Sequence, residues 1–122
     1  METPRALVWV GRTKDDLKSF PQPVQRAMGF ALYRAQQGRM ATTARPLRGF
    51  GGAGVLEIVA DYEGDTYRTV YTVRLATAVY VLHVFQKKST RGIATPRREL
   101  ELVRQRLRQA ETIDAERRRR EP

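Results

Sequence analysis

The sequence contains no cysteine and only one histidine, His83. Disulfide scaffolds, thiolate metal centres and thiol nucleophiles are excluded, and a histidine-rich metal centre goes with them. Long apolar runs are missing too. Hydrophobic residues make up 41% of the chain, yet no run approaches the roughly 18 residues of a membrane span. The first residues lack the charged-then-apolar pattern of an export signal. The expectation is a cytoplasmic domain with no membrane contact, no metal and no cofactor. Acidic residues are scarce beside basic ones: 13 Asp and Glu stand against 23 Lys and Arg, a net charge of +10. That excess favours a polyanionic partner, nucleic acid or an acidic protein, over a small neutral substrate.

What is present fits one core of ordinary size in 122 residues. The charge is not confined to one end. The first 95 residues hold 14 basic and seven acidic side chains, +7, whereas the last eight contribute only +2 through Arg117 to Arg120. A cationic patch on a folded surface positions phosphates, which a tail merely attracts. The reading is a single domain over residues 1–110 and a basic, disordered tail over 111–122.

Leu7 to Val10 reads as a first strand, and Lys14 to Phe20 leaves room for a short helix that Phe20-Pro21 ends. Val24, Ala27, Met28, Ala31, Leu32 and Ala35 recur with helical spacing, with Pro21 or Pro23 near the start and Gly38 as a stop. Gly38 to Gly54 reads mostly as loop. Its glycine-rich end lacks the Lys-Ser/Thr of a nucleotide P-loop and precedes a strand, so it reads as a turn that lets Phe50 pack. Three strand-like runs follow, Val55 to Tyr62, Thr66 to Leu75 and Ala78 to Gln86, separated by turn-length connections that imply an antiparallel meander. From Pro96 on, Leu100, Val103, Leu107 and Ala110 restore helical spacing, with Thr95 as a candidate cap. The sum is an α+β fold. It has a small antiparallel-rich sheet, the N-terminal strand plus the C-terminal meander, with two N-terminal helices packed on one face and a C-terminal helix. Alternation puts Glu57 with Val59 and Asp61, Arg68 with Val70, Thr72 and Arg74, and His83 with Phe85 and Lys87. The expectation is a helix-free polar sheet face bearing Glu57, Arg68 and a nearby lysine pair. Trp9, Tyr67, Tyr71 and Tyr80 read as core.

Thr66-Tyr67-Arg68-Thr69-Val70-Tyr71, followed by Val79 through Lys88, resembles the RelE/ParE superfamily of type II toxin–antitoxin toxins, in its phage-related, HigB-like branch. Phe30-Ala31-Leu32 through Gly38, Leu47-Arg48-Gly49-Phe50-Gly51 leading to Leu56-Glu57-Ile58, and Thr95-Pro96 extend the resemblance over about residues 7 to 110. It implies a toxin that cleaves messenger RNA on the translating ribosome, a neighbouring antitoxin of the helix-turn-helix kind, and no cofactor. Carried across, Arg68 matches the strand arginine that contacts the scissile phosphate. Lys87 and Lys88 match a basic pair that stabilises the phosphate. The sequence departs from relatives where Glu57 and Val59 stand in place of two lysines, and where Ser89 to Glu99 has no tyrosine.

The chemistry asks little of the protein. The ribose 2′-OH attacks its own phosphate, so the protein orients the nucleotide, neutralises charge on the non-bridging oxygens and assists proton transfer. Arginine suits the second task through its planar, permanently charged fork. Arg68 is the leading candidate, and the plain alternative for it is an ion pair with Glu57 or Asp61. Lys87, Lys88 and Arg91 form a cationic strand end, or simply a solvated one. Glu57 is a candidate base that reads equally as a partner for Arg68, and His83 is an acid–base candidate that reads at least as well as a packing residue. Arg48, Arg74 and Arg91 are candidates for RNA binding. Two other functions remain open: ParE-like, non-enzymatic inhibition of DNA gyrase, and a non-toxic basic RNA-binding or phage-related module.

Overall fold

The computed structural model describes residues 3–50, 54–87 and 95–121. The chain runs β1 (Ala6–Trp9), α1 (Thr13–Lys18), α2 (Gln22–Gln36), β2 (Ala44–Pro46), β3 (Val55–Tyr62), β4 (Asp65–Thr72), β5 (Ala78–Lys87) and α3 (Arg97–Arg120). The fold is α+β around one five-stranded mixed sheet of order β1-β5-β4-β3-β2. The meander β3-β4-β5 is antiparallel, and β1 joins its β5 edge in parallel. A two-residue turn links β3 to β4: Glu63 and Gly64 take φ 49° and 86°, the left-handed pair that matches hairpin twist. No helix among the described residues is long and apolar enough to cross a membrane.

α2 starts behind Pro21, carries Pro23 in its first turn, and stops at Gly38, where φ is +81°. Val24, Met28, Ala31, Leu32 and Ala35 are buried as their spacing requires, but Ala27 sits at the stripe's edge and is exposed. With Leu17 of α1 they pack on one sheet face, against Ile58, Tyr67, Tyr71, Val79, Val81 and Val84. Trp9 is partly buried beside this core, and Tyr80 is buried on the opposite face.

That opposite face is not free of helix. Val103 and Ala110 of α3 are fully buried there among Val10, Val55, Val70, Ala78, Tyr80 and Leu82, with Leu100 and Leu107 beside them. The sheet therefore lies between two helical layers, and the open polar platform does not exist as expected. The disordered tail is replaced as well. α3 continues to Arg120, and Asp114, 5% exposed, accepts hydrogen bonds from the N–H groups of Ala76 (3.0 Å) and Thr77 (2.8 Å) and from the Tyr80 hydroxyl (3.0 Å). Arg117 Nε donates to the Thr77 hydroxyl at 3.0 Å. Two smaller differences matter for the site. The segment read as loop contains β2, whose Arg45 lies opposite Glu57 in the ladder. β4 ends at Thr72, not Leu75, and the backbone carbonyls of Val73, Leu75 and Ala78 are gathered by the Arg5 guanidinium.

Candidate functional site

Glu57 on β3 points to the α3 side of the sheet and is 1% exposed. A lone buried carboxylate is costly, so its surroundings must supply donors. They do so from three elements. Arg45 of β2 donates through Nε (3.3 Å) and Nη2 (3.1 Å) to Oε1. Arg68 of β4 reaches Oε2 at 3.5 Å through Nη1. Thr95, just before α3, donates its hydroxyl to Oε2 at 2.6 Å and accepts from Arg68 Nη1 at 3.0 Å. Four donors thus occupy the roughly four acceptor positions of one carboxylate.

This cluster forms one wall of a cavity of about 350 Å³ lined by Arg45, Pro46, Leu47, Arg48, Glu57, Thr95 and Leu100. Apolar walls with two arginines at the rim suit a ligand that combines a flat or apolar body with negative charge. Arg48 is exposed, and the Arg45 side chain is 41% exposed, so both present charge toward solvent while the rest of the cluster stays inside. Nearby, the Arg104 guanidinium of α3 lies 5.2 Å from the centre of the Phe50 ring.

The structure brings Arg68 and Glu57 together, as cross-strand alternation suggests, but it makes Arg68 a buried residue rather than a surface one. Arg68 is 3% exposed, its Nε has no hydrogen-bond partner, and it does not line the cavity. Its reach toward a ligand runs through Glu57 and Thr95. Thr95 is not the helix cap: Pro96 occupies that position with no side-chain cap, and the threonine hydroxyl is spent on Glu57. Lys87 ends β5 half-buried, opposite Thr66 and so one alternation from Arg68 on the same side. Lys88 and Arg91 lie outside the described residues. Arg74 sits beyond the far end of β4, exposed, with its side chain against Gly54, and does not join the cavity.

His83 reaches the α3 side by an irregularity. The β4–β5 register shifts between Val70 and Tyr71, so Leu82 becomes an extra residue, and both Leu82 and His83 face α3. There His83 is engaged at both ring nitrogens. Arg106 Nη1 donates to Nδ1 at 3.2 Å, which leaves the proton on Nε2, facing the Glu99 carboxylate. Burial pushes the imidazole below its ordinary value, Glu99 draws it back up, and Arg106 pushes it further down. His83 stacks on Phe85 with ring centres 5.0 Å apart. It is a docking residue for α3, not a group of the cavity.

Sequence reasoning missed Arg45. Three residues ending in proline give almost no strand signal, although proline is the residue an edge strand tolerates. Among the described residues, no group of three or more His, Asp or Glu is placed to hold a metal ion.

Fold and site together define a small α+β domain with a cation-rimmed cavity at one end of a mixed sheet. Over residues 15–108 the chain matches the family described as Phage derived protein Gp49-like (DUF891), and it belongs to that family. No curated protein and no solved structure gives a significant match.

Proposed function

We propose that the protein is the toxin component of a type II toxin–antitoxin pair, in the HigB-like branch of the RelE/ParE superfamily. In this reading it cleaves messenger RNA on the translating ribosome through attack of the ribose 2′-OH. The observation that carries the reading is the cavity, lined by Arg45 and Arg48 together with Glu57 of the Leu56-Glu57-Ile58 stretch that is part of the resemblance. Membership of a phage-derived family agrees with it. The two arginines meet the scissile phosphate and offset the charge that develops on its oxygens. Glu57 holds Arg45 and Thr95 in place, and Arg68 holds Glu57, so Arg68 is a positioning residue rather than a phosphate ligand. The site contributes orientation and electrostatic stabilisation, often the largest parts of such catalysis.

A second reading, ParE-like inhibition of DNA gyrase without chemistry, draws on one observation. Glu57 and His83, the two acid–base candidates, are both saturated by protein donors and acceptors. One experiment separates the two. The chain is induced in a bacterial host, growth is followed, and 5′ ends of cellular transcripts are mapped on a reporter with and without its start codon. The nuclease reading expects new 5′ ends inside the translated reporter alone. Growth arrest with intact transcripts and loss of plasmid supercoiling would overturn it in favour of gyrase.

A further inference from the structure

On the far side of the sheet from the cavity, the outward face of α2 carries side chains that the core does not use. Phe30 is 64% exposed and Tyr33 48%, with Met40 55% exposed just past the helix end. Arg26 lies one turn before Phe30, and the Arg34 guanidinium is 5.8 Å from the Phe30 ring centre. Gly29 lies on the same face, and a side chain added there would meet nothing within 4 Å. Glycine inside a helix weakens it, and here no packing demands it. Its bare backbone leaves an open notch beside the two rings.

α2 and the residues just after it carry charge of one sign. From Gln22 to Met40 there is no Asp or Glu, whereas Arg26, Arg34 and Arg39 fall in that stretch. A second copy of the chain would bring like charges together, so self-association does not suit the surface. A partner that is negative throughout and offers flat π faces does. We propose that the α2 face is a second contact surface for single-stranded RNA, with Phe30 and Tyr33 stacking on bases and Arg26 and Arg39 meeting phosphates. The proposal rests on the reading of RNA as the substrate polymer. α2 and the cavity lie on opposite sheet faces, so both are filled together only by an RNA that reaches round the domain or by a large RNA-containing particle.

The test uses the full chain and a fluorescently labelled, unstructured 15-nucleotide RNA, with affinity read by anisotropy over a salt series. The variants are Phe30→Ala/Tyr33→Ala, Arg26→Ala/Arg39→Ala, Gly29→Gln and Arg48→Ala, each with its unfolding midpoint measured. The ring pair is expected to weaken binding by about 5-fold or more with an unchanged salt slope, as loss of stacking requires. The arginine pair is expected to flatten the log–log salt slope by about 0.7 for each phosphate no longer neutralised. Gly29→Gln, which fills the notch and keeps both rings, is expected to weaken binding as well. If the ring pair and Gly29→Gln bind within twofold of the parent while Arg48→Ala weakens binding, the α2 face is not an RNA surface and an acidic protein becomes its partner. If the parent itself does not bind this free RNA, the α2 proposal falls, whereas the nuclease reading, which requires the ribosome, is judged separately by the transcript mapping.

Discussion

At Glu57, two arginines from neighbouring strands and a threonine hydroxyl converge on one buried carboxylate. The Arg68–Glu57 half of this cluster was legible, because period-2 alternation puts both on the same side of adjacent strands. The depth of burial was not, since it depends on where α3 lies. That depth changes the expected cost of mutation. Read as a surface residue, Arg68 would tolerate alanine at under about 1 kcal/mol. As one member of a buried ion pair it should cost about 3 kcal/mol, because its loss strips a buried carboxylate of one counter-charge. Urea unfolding of Arg68→Ala measures this directly, and a cycle with Glu57→Gln should give a coupling energy of about 1 kcal/mol or more. Arg48→Ala, at an exposed position, should stay within about 0.5 kcal/mol of the parent. His83 carries a separate expectation. Its folded-state value lies below the ordinary one, so an acidified solution protonates the unfolded chain first. Its stabilising contribution is present above pH ~6.5 and is lost as pH falls through the lower folded value. His83→Phe should flatten the stability profile between about pH 7 and pH 5, read as unfolding midpoints across that range.

α3 shows how an element's length can be set by distant partners. Four arginines at 117–120 have the composition of a solvated tail, and nothing local marks Asp114 as buried. The helix persists because Asp114 ties its last third to the β4–β5 connection. Burial opposes ionisation of that carboxyl, but the Thr77 hydroxyl, the Thr77 and Ala76 N–H groups and the Tyr80 hydroxyl together hold it below the usual carboxylate range. Asp114→Ala should cost about 2–3 kcal/mol, the scale of hydrogen bonds to a charged group, and Asp114→Asn less. Thermal unfolding of the two variants checks the order. A chain cut after Ala110 should lose stability, where a dispensable tail would change nothing. In α2 the expectation has the opposite sign. Gly29→Ala should stabilise the protein by about 0.8–1 kcal/mol, since the site is helical, open and solvent-facing. α2 itself was readable almost residue by residue, because apolar spacing, prolines at the start and Gly38 at the end all agree. β2 was not, being three residues long.

For the molecule as a whole, the number of layers was the harder inference. The strand run from Ala78 to Phe85 is apolar on both sides, which is the pattern of a strand buried on two faces. Ala78, Tyr80 and Leu82 need a cover as much as Val79, Val81 and Val84 do, and α3 supplies it. Its presence closes the polar face and confines the candidate site to the cavity at the sheet's end, where charge, apolar wall and opening coincide. In the proposed function this cavity works on messenger RNA held by a ribosome. The most direct measurement compares the purified protein's cleavage rate on one transcript, free and bound to ribosomes, for the parent and Arg48→Ala. Rapid cutting is expected only of ribosome-bound RNA, with a loss of about 10²- to 10³-fold in Arg48→Ala and its unfolding midpoint unchanged. Equal rates for the parent and a folded Arg48→Ala, or no cutting of ribosome-bound RNA by the parent, would contradict it.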